Sequence, residues 1–132
     1  MSLDESLQTV NWPSKDGVFK IIQLEINGKP HIRFPVKFDW LTHGGIMMEF
    51  LGISPLEKDK LPFTDFDGNK LPALQGENYK VVGAGKARVN PSQKTVEFYG
   101  KSLGYGIYGN RRHLESVKPL VSDWKIEYSD RE

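Results

Sequence analysis

The segment from Val18 to Gly28 constrains the fold of this chain more than any other. Val18, Lys20, Ile22, Leu24 and Ile26 fall on one face of an alternating stretch that ends in Asn27-Gly28. A period of two marks a strand, and Asn-Gly after such a run marks a tight hairpin, because both residues accept positive φ. His31 to Val36 then reads as the return strand, bounded by Pro30 and Pro35.

The period changes after the hairpin. Within Trp40 to Leu51, the residues Ile46, Met47, Phe50 and Leu51 lie at helical spacing, with Thr42 available as N-cap. Gly52 to Asn78 carries Pro55, Pro62 and Pro72, a charged run at Glu57 to Lys60 and an Asp67-Gly68 turn signal. It reads as a peripheral excursion with room for a small hairpin. Tyr79 to Val89 is a strand interrupted by Gly83-Ala84-Gly85, Thr95 to Lys101 another, and Gly104, Gly106 and Gly109 form a glycine-rich loop. Asn110 caps a helix carrying Leu114, Val117 and Val121, which Pro119 ends early, and Trp124 to Tyr128 is the last strand. Strands and helices mix without strict βαβ alternation. The expected class is α+β, one domain with a central mixed sheet and two helices packed on it. Residues 1–15 read as an N-terminal extension and 16–132 as the domain, the excursion at about 52–78 included.

Composition narrows the chemistry. The 132 residues carry 18 Lys and Arg against 17 Asp and Glu, a net charge of +1. There is no bulk electrostatic case for nucleic acid or anionic membrane as partner. Cysteine is absent, which removes disulfides, thiolate zinc sites and cysteine nucleophiles. With three His, a closed zinc site is not expected either. Apolar runs of a few residues and a polar N-terminus give the expectation of a small soluble cytoplasmic domain.

Five local patterns are candidates for function. In Thr42-His43-Gly44-Gly45, a helix capped by Thr42 would leave the Gly44 and Gly45 amides without intrahelical partners. Such an end attracts anions and disfavours imidazolium, keeping His43 a neutral nucleophile or base; the alternative is a surface histidine after a tight turn. Lys20 lies on a core-facing strand face, where it either snorkels or holds an anion. Gly83-Ala84-Gly85-Lys86-Ala87-Arg88 lacks the third glycine of a dinucleotide fingerprint, and its glycines mark either a bulge or a close ligand approach. Gly100-Lys101-Ser102-Leu103-Gly104 formally matches a nucleophile elbow, yet further glycines follow where a helix is required. Its amides can also form an anion nest. Arg111 and Arg112 open the last helix against its dipole, and His113 follows on a face read as turned to solvent.

The order of these segments resembles the Janus/Ocnus family, the small phosphohistidine phosphatases. The resemblance runs from about Asp16 to Ser129. It rests on Asp16-Gly17-Val18-Phe19-Lys20, on His43-Gly44-Gly45-Ile46, on Gly83-Ala84-Gly85-Lys86 and on Tyr99-Gly100-Lys101-Ser102-Leu103-Gly104-Tyr105-Gly106, the most specific block. It implies a metal-independent, cofactor-free hydrolase that releases inorganic phosphate from phosphohistidine-containing proteins, with His43 catalytic as nucleophile or general base. It also implies that Lys20, Gly44, Lys86, Ser102, Leu103 and Gly104 bind the phosphate. The family has His-Ala-Asp-Ile where this chain has His43-Gly44-Gly45-Ile46, and arginine at the position of Lys86. The chain is expected to act as a monomer. The alternative is a module of the same fold that binds phosphate or a phosphoprotein without turnover.

Overall fold

Every alternating segment becomes a strand, and the longest two pair at the centre of one sheet. The computed structural model describes residues 8–35, 42–53, 60–64, 68, 70–102 and 105–129. In chain order the elements are β1 (Gly17–Ile26), β2 (Lys29–Arg33), α1 (His43–Leu51), β3 (Phe63–Thr64), β4 (Lys70–Leu71), β5 (Tyr79–Asn90), β6 (Thr95–Tyr99), β7 (Lys101–Ser102), β8 (Ile107–Tyr108), α2 (Arg111–Val117), a 3₁₀ turn over Lys118–Val121, and β9 (Lys125–Tyr128). The sheet runs β2-β1-β5-β6-β9. Its neighbours are antiparallel except for the parallel pair β6–β9. The fold is α+β, with a mixed central sheet and two helices.

Asn27 and Gly28 both take positive φ, 52° and 81°, as the mirror-image turn of a two-residue hairpin demands. Side-chain alternation on β1 then places the helices on opposite faces. Ile22, Leu24 and Ile26 pack with Ile46 and Met47 of α1, while Phe19 and Ile21 pack with Leu114 and Val117 of α2. Full burial of one such side chain is worth roughly 1.5–3 kcal/mol, so β1, apolar on both faces, is the strand the fold can least lose. On β5 the phase shifts. Gln23 faces Gly83 but Leu24 faces Val81, which leaves Val82 as a bulge and turns Val81 towards α1.

Two segments do more than their composition indicates. The described end of the N-terminal extension joins the core: Val10 is buried, the Ile32 amide donates to the Thr9 carbonyl, and Trp12 stacks on Trp124 with centroids 3.7 Å apart. The excursion forms its small hairpin, β3 with β4. It is not peripheral, however: Leu71 and Pro72 are buried, and Leu74 packs beside Leu71 against α1. Prolines and charges set the average character of that stretch and hide the apolar residues at its end. Pro119, which has no amide hydrogen to donate, falls where α2 gives way to the 3₁₀ turn. Among the described residues no helix is long and apolar enough to cross a membrane.

Candidate active site

α1 starts as its sequence dictates. The Thr42 side chain accepts from the Gly45 amide at 3.1 Å, and the Thr42 carbonyl accepts from Ile46. Gly45 is therefore not one of the open amides, contrary to the expectation that it would face an anion: the cap uses it. The amides left without an acceptor among the described residues are those of His43 and Gly44. No acidic side chain occupies the first turn.

His43 is buried, with Nε2 2.7 Å from the Gly85 carbonyl. A carbonyl only accepts, so Nε2 carries the proton and Nδ1 carries the lone pair. No described residue bonds to Nδ1. Burial lowers the His43 pKa from 6.5 to about 4, the Lys20 and Lys86 charges lower it further, and the Gly85 bond works against both. The imidazole is thus neutral at pH 7, as its place at a helix start indicated, although burial is the main cause.

The two lysines come from neighbouring strands. Lys20 and Lys86 are direct cross-strand partners of β1 and β5, half-buried on the α1 face. Like charges placed directly opposite destabilise a sheet. Neither lysine has an ion pair or hydrogen bond among the described residues to offset this. Gly100, at φ 82°, lies against the Lys86 side chain, its added Cβ 3.7 Å from Lys86 Cγ.

The glycines of β5 have a packing reason. A Cβ on Gly85 would stand 2.5 Å from the Tyr99 carbonyl oxygen, and one on Gly83 would stand 2.5 Å from Gln23 Oε1. Only glycine allows these approaches, and what approaches is the protein itself. Gly44 is similar, for a Cβ there would overlap Leu71 Cδ2.

Ser102 is buried. Its Oγ accepts from the Tyr105 amide at 3.1 Å and its carbonyl from Gly106 at 2.8 Å, closing the turn into β8. A strand and not a helix follows, and no imidazole bonds to Ser102 among the described residues, so the elbow match has no nucleophile geometry. Leu103 and Gly104, expected to line a phosphate, lie outside the described residues.

The opposite face is saturated with hydrogen bonds. Gln23 donates from Nε2 to the Asn110 carbonyl at 2.8 Å and to His113 Nδ1 at 3.2 Å, and accepts from the Asn110 amide at 2.7 Å. His113 Nε2 donates to the Leu24 carbonyl at 3.1 Å, and Asn110 Nδ2 donates to the Val82 carbonyl at the bulge. His113 is buried in this network, which corrects its reading as solvent-facing. The local pattern showed two exposed arginines before it and not the partner 90 residues away. Arg111 is exposed and lies over the Tyr128 ring at 4.9 Å, a contact that compensates for its place at the helix start. His31 closes its own hairpin, Nδ1 donating to the Lys29 carbonyl at 2.9 Å.

The structure thus gathers His43, Lys20, Lys86 and the Gly44 amide, and puts the Ser102 turn on the same side of the sheet. Three participants escaped the sequence reading: the Gly85 carbonyl, Leu71 and the Tyr105 side chain. Tyr105 stood in the most specific motif, but nothing local assigns a role to a backbone carbonyl or to one leucine in a proline-rich stretch. Among the described residues no group of three His, Asp or Glu side chains is placed to hold a metal ion. No protein-family model matches this chain, and a search of curated proteins finds no match.

Proposed function

We propose that this chain hydrolyses the phosphoramidate bond of phosphohistidine in proteins, with His43 as the reacting group and no metal ion taking part. One observation carries the reading: a neutral buried imidazole has an Nδ1 lone pair that no described residue engages, beside two opposed lysines without an anionic partner among the described residues. A phosphoryl group placed there relieves the Lys20–Lys86 repulsion and meets the Gly44 amide. The resemblance of Asp16–Lys20, His43–Ile46 and Tyr99–Gly106 to the small phosphohistidine phosphatases supports phosphohistidine as the substrate. In the nucleophilic form, Nδ1 attacks phosphorus as the P–N bond breaks, and the substrate imidazole leaves as the neutral ring, its nitrogen protonated by solvent water. Water then cleaves phospho-His43 to give inorganic phosphate. In the general-base form, Nδ1 takes the proton of the attacking water directly. Both need His43 neutral, so activity falls on the acid side only as His43 protonates, near pH 4.

The test is phosphate release from a phosphohistidine peptide, with acid-sensitive labelling of the enzyme followed in a single turnover. Label on His43 identifies the nucleophilic form, and turnover without label the general-base form. Inorganic phosphate binding without any release would overturn catalysis and leave the binding module. Activity lost in chelator and restored by magnesium or zinc would overturn the metal-free mechanism.

A further inference from the structure

The site has a second wall that the helix carrying His43 does not supply. α1 opens with Gly44 and Gly45, although glycine costs a helix roughly 1 kcal/mol per position against alanine. At Gly44 the reason is contact. The position is buried, and the space a Cβ would take is held by Leu71 Cδ2. Leu71 ends β4 and is itself buried; the next residue, Pro72, is fully enclosed. The Pro72 carbonyl accepts from the Tyr105 hydroxyl at 2.9 Å, and the Tyr105 amide donates to Ser102 Oγ at 3.1 Å. Burial raises the Tyr105 pKa well above its ordinary value, so the phenol remains a donor wherever the protein is folded. A single buried path therefore runs from Gly44 through Leu71, Pro72 and Tyr105 to Ser102. It joins the start of α1 to the Ser102 turn.

We infer that Leu71 and Tyr105 are positioning residues of this site, fixing the first turn of α1 against the Ser102 turn. The inference rests on the reading of His43 as the reacting group. The α1 start carries both His43 and the open Gly44 amide, and its seat depends on the fit of one leucine into the missing side chain of one glycine. Tyr105 fixes the backbone on which that leucine stands. The stretch beyond Gly52 is thus part of the machinery that aims the imidazole.

A merely structural role predicts a loss of stability and nothing else, so the test reads the folded protein. His43 is faced by Lys20 from β1 and Lys86 from β5, and both stay unchanged throughout. The parent imidazole, with its pKa near 4, shows no proton-NMR titration above about pH 5. In Gly44→Ala, and separately in Leu71→Ala, the first turn moves and water reaches the ring. A titration then emerges between about pH 5 and 6.5, and inorganic phosphate binds at least about fivefold more weakly. In Gly44→Ala/Leu71→Ala the new methyl group occupies the vacated space, and both properties return most of the way to the parent. Leu71→Val gives a smaller effect in the same direction and stands in if Leu71→Ala does not fold. Tyr105→Phe keeps the ring and weakens phosphate binding about two- to fivefold, because the bond to Pro72 is lost while the ring packing stays.

Additive losses in the double variant would overturn the inference. So would single variants with lowered melting temperature but unchanged His43 titration and phosphate affinity. Neither readout needs turnover, so a chain that fails to hydrolyse phosphohistidine refutes the proposed function and still decides this inference through the His43 titration.

Discussion

His43 and His113 stand in the first turns of α1 and α2, on opposite faces of the same sheet. Each follows a side-chain cap, Thr42 or Asn110, and each donates from Nε2 to a carbonyl of a central strand, Gly85 or Leu24. Burial lowers both pKa values. They differ in the second nitrogen. His113 Nδ1 accepts from Gln23, whose remaining amide proton and oxygen are engaged with Asn110, whereas His43 Nδ1 has no partner among the described residues. The charges around them differ too: Glu25 favours the charged form of His113, while Lys20 and Lys86 both oppose that of His43. Burial and helix position do not separate a structural histidine from a reactive one. What separates them is whether the remaining lone pair is already used.

The sharpest way to break this comparison is to remove each ring in turn. His43→Ala should lower kcat/KM by roughly 10²–10⁴-fold per folded molecule, as expected for losing an acid–base or nucleophilic group, and also lowers the melting temperature, because the buried Gly85 carbonyl loses its donor. His113→Ala should cost stability without the loss of activity. Losing the ring leaves the Leu24 carbonyl and one Gln23 proton buried without partners, at roughly 1–3 kcal/mol, and activity per folded molecule stays within a few-fold. Equal activity in His43→Ala and the parent, or equal loss per folded molecule in both variants, would sink the assignment.

Proton linkage gives the next largest effect. Each histidine has a folded pKa below its unfolded value, so the unfolded chain takes up the proton first as pH falls. Stability from these groups is full above pH 6.5 and is lost on the way down. For His43, a fall from 6.5 to about 4 corresponds to ~3 kcal/mol at about 1.4 kcal/mol per pH unit. His113 acts in the same direction, with Glu25 and the Leu24 bond opposing the effect and His31 adding to it. Denaturant unfolding at pH 7 and pH 4.5 measures the slope, and His43→Ala should flatten it. A parent whose stability does not change across that window would contradict the burial of both rings.

The smallest effect sharpens the contrast between the two faces. Lys86→Met removes one of two directly opposed cations, and the ligand-free protein should gain roughly 0.2–1 kcal/mol. The same change should abolish the rise in melting temperature that inorganic phosphate gives the parent, since protection requires binding to the folded state. Lower ligand-free stability with phosphate protection intact would show that Lys86 is held by a partner and is not part of the anion site. The face that holds Gln23, Asn110 and His113 offers no such gain, because each polar group there already has its partner.

Local signals carried most of the fold. The strand at β1, the Asn27-Gly28 turn, the caps at Thr42 and Asn110 and the weakening of the last helix at Pro119 are interactions between residues a few positions apart, and each is visible in the order of side chains. Lys20 stood out because an amine on an apolar face is expensive, and its cross-strand neighbour proved to be Lys86. The readings that changed are non-local. Leu71 was hidden in a stretch whose prolines and charges speak of a surface, His113 behind two exposed arginines, and Val10 and Trp12 in a segment without period. In each case the deciding contact comes from a distant part of the chain.

The sequence by itself determined that the chain forms an antiparallel start, two capped helices and a mixed α+β sheet, and that each helix begins near a histidine. Short-range hydrogen bonds and the periods of apolar residues set those features, and both are written within a few residues. Only the tertiary structure decided which histidine keeps an open lone pair. The His113–Gln23 bond spans 90 residues and the His43–Gly85 bond spans 42. Whether a buried nitrogen finds a second partner depends on what packing brings to it across the sheet, and that is settled only once β1, β5 and the two helices have come together.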